Sequence, residues 1–252
     1  SSYRDKQLVP MTVPFWAHKE LSYFRYFGNG EGEERVTILH KFNLFIEPFI
    51  DRMVGGVFEG SNDAGFRTRD TLFVIEEKPV RLQNVVYVSN PKEYRYLRYY
   101  GPAGSYCNVS EVGFYRDPND MVPLQGRVIG TPGSFGGDKG HWYMSAFDGD
   151  PYTSFDYNQP DGGWAGIDLG KSVSVGKIVL TPRNRVNFIR QGDKYELFYA
   201  GKGGWISAGT TVANSDSLVY NVPKGALLYL KNHSGGVDER IFEYVDGEQV
   251  FW

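Results

Sequence analysis

Oxygen-bearing side chains crowd one short turn, Ala146-Phe147-Asp148-Gly149-Asp150-Pro151-Tyr152-Thr153-Ser154-Phe155. A hard cation such as Ca²⁺ needs several oxygens on a tight turn at about 2.3–2.6 Å. Asp148, Asp150 and Thr153 have the types and spacing to supply them. The competing expectation is that Asp148 and Thr153 hydrogen-bond their own turn. A second polar group fills the connection 181–190, where Arg183, Asn184, Arg185 and Asn187 carry the forked and amide donors that reach paired sugar hydroxyls. A sugar also needs an aromatic face for its C–H surface. His141 and Trp142, with Tyr143, Tyr152 and Tyr157, are candidates for that platform. Most tyrosines and tryptophans of a β-protein fill the core, so Trp164 and Trp205, inside strand patterns, are assigned to packing.

Catalytic constellations are missing from the sequence. His18, His40, His141 and His233 form no His-x-x-x-His or His-Glu-x-x-His pair, and no serine sits in a Gly-x-Ser-x-Gly elbow. The single cysteine, Cys107, excludes an internal disulfide and a cysteine-based zinc site, and reads as a small buried hydrophobe. The chain is therefore expected not to be an enzyme. Residues 133–140, Gly-Ser-Phe-Gly-Gly-Asp-Lys-Gly, lack the Gly-Lys-Ser/Thr of a phosphate cradle and read as a loop. Asn108-Val109-Ser110 and Asn232-His233-Ser234 are glycosylation sequons.

The elements that must position these residues are strands. Aromatics make up 16% of the 252 residues, alongside 31 Gly and 13 Pro, which favours many short strands and tight turns. Runs of four to eight residues such as Tyr94-Arg95-Tyr96-Leu97-Arg98-Tyr99-Tyr100 alternate partially with period two, and no helix of more than about three turns is expected. A loose repeat near 130 residues sets 57–63, 71–75, 94–100 and 109–115 against 195–207, 226–231 and 238–242. Two β-domains follow, 1–118 and 119–252, divided at the turn-rich Arg116-Asp117-Pro118-Asn119-Asp120. Within 1–55, strands are expected over 36–42 and 43–47. Twenty-seven basic against thirty acidic residues, without basic clusters, point away from nucleic acid. No apolar run approaches the roughly 20 residues that span a bilayer, so no transmembrane segment is expected, and the first residues lack the apolar core of a signal peptide.

The Asp-Gly-Asp turn with Thr153 and Phe155, followed by Gly163-Trp164-Ala165-Gly166-Ile167-Asp168-Leu169-Gly170, resembles the discoidin or coagulation factor type C family, which includes many bacterial carbohydrate-binding modules. The likeness covers most of residues 125–252. In the first half it is confined to the Gly-Ser-Asn-Asp turn, the Tyr-Arg-Tyr-Leu-Arg strand and Ser110-Glu111-Val112-Gly113-Phe114-Tyr115. It implies an all-β fold of two tandem galactose-binding-like jelly-roll sandwiches, the first divergent, and a non-catalytic module that recognises glycans through loops at one end. It also implies a structural Ca²⁺ completed by a carboxylate from the last strand, the place Glu239 takes here. The wider pattern is similar to the C-terminal region of large exported Bacteroidetes proteins, some with an upstream transglutaminase-like or peptidase-like domain. That implies a secreted, periplasmic or cell-surface location, a glycan or surface polysaccharide as partner and, as the alternative function, a protein-interaction module that positions the upstream catalytic domain.

Overall fold

The computed structural model describes residues 32–41, 48–137, 139–184, 187–235 and 240–252. These residues are almost wholly β, as the composition predicts. Their helical content is one α-turn, Pro48–Asp51, and short 3₁₀ turns, and none of it is long and apolar enough to cross a membrane.

The chain separates into two compact units, and the separation is not at 118. One unit is residues 47–185; the other joins residues 1–46 to 186–252. In the first unit, β2 (Val57–Ser61), β3 (Asp70–Val74), β5 (Glu93–Tyr100), β7 (Arg127–Gly130) and β8 (Trp164–Ser174) form a five-stranded sheet in the order β3-β2-β5-β8-β7. Strands β4 (Asn84–Tyr87), β6 (Glu111–Tyr115) and β9 (Lys177–Thr181) form a three-stranded sheet in the order β4-β9-β6. Phe58, Leu97, Tyr99 and Ile167 from the first sheet pack with Val112, Phe114, Ile178 and Leu180 from the second in one core, which makes the unit a β-sandwich. Strand β5 pairs with β8 and β6 pairs with β9. Residues on either side of 118 therefore share both sheets, and a boundary there would divide a single core. The domains expected at 1–118 and 119–252 are corrected to one continuous unit and one made of two separate stretches.

The second unit has its own sandwich. In it β1 (Glu33–Ile38) pairs with β12 (Leu218–Pro223). The facing sheet holds β10 (Lys194–Gly201), β11 (Gly204–Val212), β13 (Leu228–Asn232), β14 (Ile241–Val245) and β15 (Glu248–Phe251) in the order β11-β10-β13-β14-β15. Val36, Ile38, Tyr220 and Val222 meet Tyr195, Leu197, Leu230 and Phe242 between the sheets. The loose repeat does not mark equivalent positions, because β5 and β6 lie in different sheets whereas β13 and β14 are neighbours in one. Of the strand expected over 36–42, residues 36–38 lie in β1 and residue 42 lies outside the described residues, as does the strand expected over 43–47.

Strand β5 also departs from simple alternation. Its pairing with β8 shifts register between Tyr94 and Tyr96, where Arg95 alone stands against residues 169–172 of β8, and an irregularity of odd length exchanges the faces beyond it. Tyr94, Leu97 and Tyr99 therefore all enter the core, while Tyr96 and Arg98 lie against Phe66.

Candidate functional site

The chemistry-bearing loops of the 47–185 unit gather where β5 ends and β8 begins. Residues 101–110 leave β5 through two successive non-glycine residues in the left-handed region, Tyr106 (φ 55°) and Cys107 (φ 49°). Such residues persist only where the surroundings over-determine them. Here the Cys107 N–H donates to Ser105 Oγ at 3.0 Å, and the Tyr106 carbonyl accepts from the Tyr157 N–H at 2.7 Å. Gly101 and Gly163 leave room for the turn, since a Cβ on either would stand within 2.7 Å of Cys107. Burial pushes the Cys107 thiol far above its ordinary range, so it is held as an inert thiol.

Asp156 is the hub of this end. It is only 5% exposed. Arg183 Nε lies 2.6 and 2.8 Å from its two oxygens, and Asn108 Nδ2 donates to it at 2.5 Å. His141 Nδ1 lies 3.2 Å from Asp156 and 3.2 Å from Ser154 Oγ. A Ser-His-Asp relay needs serine and carboxylate on opposite ring nitrogens; here one nitrogen faces both. Arg52 Nη1 donates to Asn108 Oδ1 at 2.8 Å. The Arg52 guanidinium lies 5.3 Å from the Tyr106 ring centroid, and those of Arg52 and Arg183 lie 5.4 and 3.7 Å from that of Phe49. Phe135 packs edge-on to Tyr106 at 6.4 Å and is 65% exposed. The arrangement offers an aromatic wall, two guanidinium forks and an amide at one loop end.

Of the residues expected to bind a ligand, the structure brings His141 and Arg183 together on Asp156. Asn184 is buried and its amide donates to the carbonyls of Pro151 and Pro182 at 3.1 Å, so it holds the loop closed. Trp142 is half-buried, with its indole N–H enclosed and without a partner. Tyr157 packs on Phe155 at 6.2 Å, and Tyr152 is half-buried in the turn. Asn187 belongs to the other unit, where it is fully buried. Arg185 lies outside the described residues. The aromatic pair at this end is Tyr106 and Phe135, which sequence reasoning passed over. Phe135 had one signal, an aromatic amid glycines with no strand pattern to pack into. Both sequon asparagines are buried, and Asn108 uses its amide in the hub.

The Asp148 turn satisfies itself. Thr153 Oγ1 lies 2.9 and 3.0 Å from the Asp148 oxygens, Asp148 Oδ1 accepts from the Asp150 N–H at 2.8 Å, and Asp150 Oδ1 accepts from the Tyr152 N–H at 2.9 Å. The carboxylate that joins it from a strand is Glu111 on β6, whose Oε1 accepts from the Gly149 N–H at 2.9 Å; Glu239 lies outside the described residues. Burial, then the neighbouring Asp148 carboxylate, push the Glu111 pKa up to about 8. A cavity of about 400 Å³ opens beside the pair, walled by Phe114, Leu124 and Val179. Among the described residues no three His, Cys, Asp or Glu side chains converge as a metal cluster. A cation here would rely on Glu111, Asp148, the Thr153 hydroxyl and backbone carbonyls. This all-oxygen set suits Ca²⁺ chemically, and two carboxylates pressed together are relieved by a divalent charge.

Compared with family models, curated proteins and solved structures, the chain gives no match.

Proposed function

We propose that the 47–185 unit is a non-catalytic carbohydrate-binding module of an exported protein, and that its ligand sits at the Asp156 end. The observation that carries this reading is Phe135, a largely exposed ring braced edge-on by Tyr106 beside Arg52, Asn108 and Arg183. An exposed aromatic face next to planar, multi-donor groups is the pairing that sugar recognition requires. The expected test is a glycan array on the whole chain, repeated on Phe135→Ala with Arg183→Gln. Signals present for the parent should vanish for the double variant, with cooperative thermal unfolding as the check that it still folds. Glycan signals that survive in the folded variant would move the site elsewhere.

A structural Ca²⁺ held by Asp148, Glu111 and Thr153 belongs to the same proposal. It would pin the turn that leads into Asp156. Calcium is then expected to raise the melting temperature of the chain and EDTA to return it, with Glu111→Ala abolishing the difference; a melting temperature indifferent to both additions rejects the site.

A further inference from the structure

Among the described residues, the charges at the Asp156 end do not balance. Two guanidinium groups, Arg52 and Arg183, share one carboxylate, and only Arg183 touches it. Among the described residues Arg52 meets no carboxylate; its partners are the Asn108 amide oxygen and the faces of Phe49 and Tyr106. The adjacent Asp51 does not compensate it, because its carboxylate pairs with Lys78 at 2.6 Å. Each guanidinium presents five N–H donors in a fixed fork. Asn108 engages one nitrogen of Arg52, and Asp156 engages Nε of Arg183, leaving the outer edges of both forks uncommitted.

We propose that the ligand at this end carries a carboxylate, so that the module takes an acidic sugar of the uronic or sialic acid type; this rests on the glycan reading above. A neutral sugar would satisfy hydroxyl geometry but leave the Arg52 charge unmatched beside Phe49 and Tyr106. A sugar carboxylate matches the planar fork bidentately and supplies the missing negative charge. Phe135 and Tyr106 then face the sugar ring, Arg52 its carboxylate, and Arg183 its neighbouring oxygens. Arg52 is the specificity-determining residue, because Arg183 is already neutralised by Asp156.

Binding of the full chain to oligogalacturonate, to its carboxyl-reduced neutral counterpart and to sialyllactose, read by calorimetry, tests this. The expected result is that at least one acid binds roughly tenfold or more tightly than the reduced oligosaccharide, the scale of one lost charge-assisted contact. Arg52→Gln should remove that preference, bringing the acid to the affinity of the reduced form, and Arg52→Lys should restore part of it. Raising salt should weaken the acid and not the neutral sugar. Equal binding of the acid and reduced forms overturns the inference and leaves the glycan reading standing. A preference that survives Arg52→Gln also overturns it. Binding of none of the three overturns both. If Arg52→Gln fails to fold, the comparison of acid with reduced sugar on the parent chain, with its salt dependence, still decides.

Discussion

Two regions of the 47–185 unit are built from the same parts and treat them differently. At one, Glu59 binds two arginines directly: Arg98 at 2.6 Å and Arg69 at 2.7 Å. The Arg98 guanidinium is closed in by Phe66 at 4.1 Å, Tyr100 at 4.9 Å and Trp164 at 5.3 Å, and the residue is 8% exposed. Phe66 is itself buried, in a left-handed conformation (φ 53°). At the other, Asp156 also stands with two arginines, but an asparagine is interposed between the carboxylate and Arg52, and the aromatic beside it, Phe135, faces solvent. The composition is the same, two arginines and a carboxylate beside aromatics. What differs is whether each charge meets its partner and whether the rings close over it. The first cluster is a closed part of the fold, and the second has, among the described residues, a cation without a carboxylate partner at an open rim.

Removing the carboxylate from each cluster should separate them. Glu59→Ala leaves a buried guanidinium without a counter-charge, and chemical denaturation should show a loss of about 3–5 kcal/mol. Asp156→Ala should cost less, about 2 kcal/mol by the same measurement, because the His141 side chain is about one-third exposed and that of Arg183, at 18%, is less enclosed than that of Arg98 at 10%. Equal costs would mean that the two clusters are closed alike. A third carboxylate, Asp168, gives the smallest effect. The Arg95 guanidinium, followed by the Gly170 N–H, holds its carboxyl well below the usual range, yet the side chains of Arg95 and Arg127 are 44% and 77% exposed, so solvent screens them. A depressed folded pKa contributes stability that is complete above the ordinary aspartate value near 4 and is lost as pH falls below it. Melting temperatures of the parent should therefore drop more steeply between about pH 4.5 and 2.5 than those of Asp168→Asn, and superimposable slopes would remove Asp168 from acid sensitivity.

Much of the local structure was legible in the residues. Short strands and the self-bonded Asp148 turn follow from residue types whose preferences act over a few positions. Asp156 was not legible. It sits in Phe155-Asp156-Tyr157 with no motif around it, and it becomes a hub only because Val109 bridges Phe155 and brings Asn108 alongside. Arg52 is more than fifty positions from either partner of the hub. Glu111 reaches the Asp148 turn from β6, next to the point where it pairs with Thr181, a placement that no local pattern announces; Glu239, the carboxylate that the family resemblance implies there, lies outside the described residues.

The Glu111 contact marks the division between local and long-range information. Alternation, turn residues and composition are properties of neighbouring positions, so an all-β chain with many tight turns follows from the sequence alone. Which strands pair is a long-range matter: backbone hydrogen bonds are chemically alike in every strand, and only the joint burial of faces selects the partners. The pairing of β5 with β8 and of β6 with β9 joined 57–115 to 127–181 in one core, set the unit boundaries at 46 and 185 instead of 118, and placed Arg52, Asn108, Asp156 and Arg183 within reach of one another.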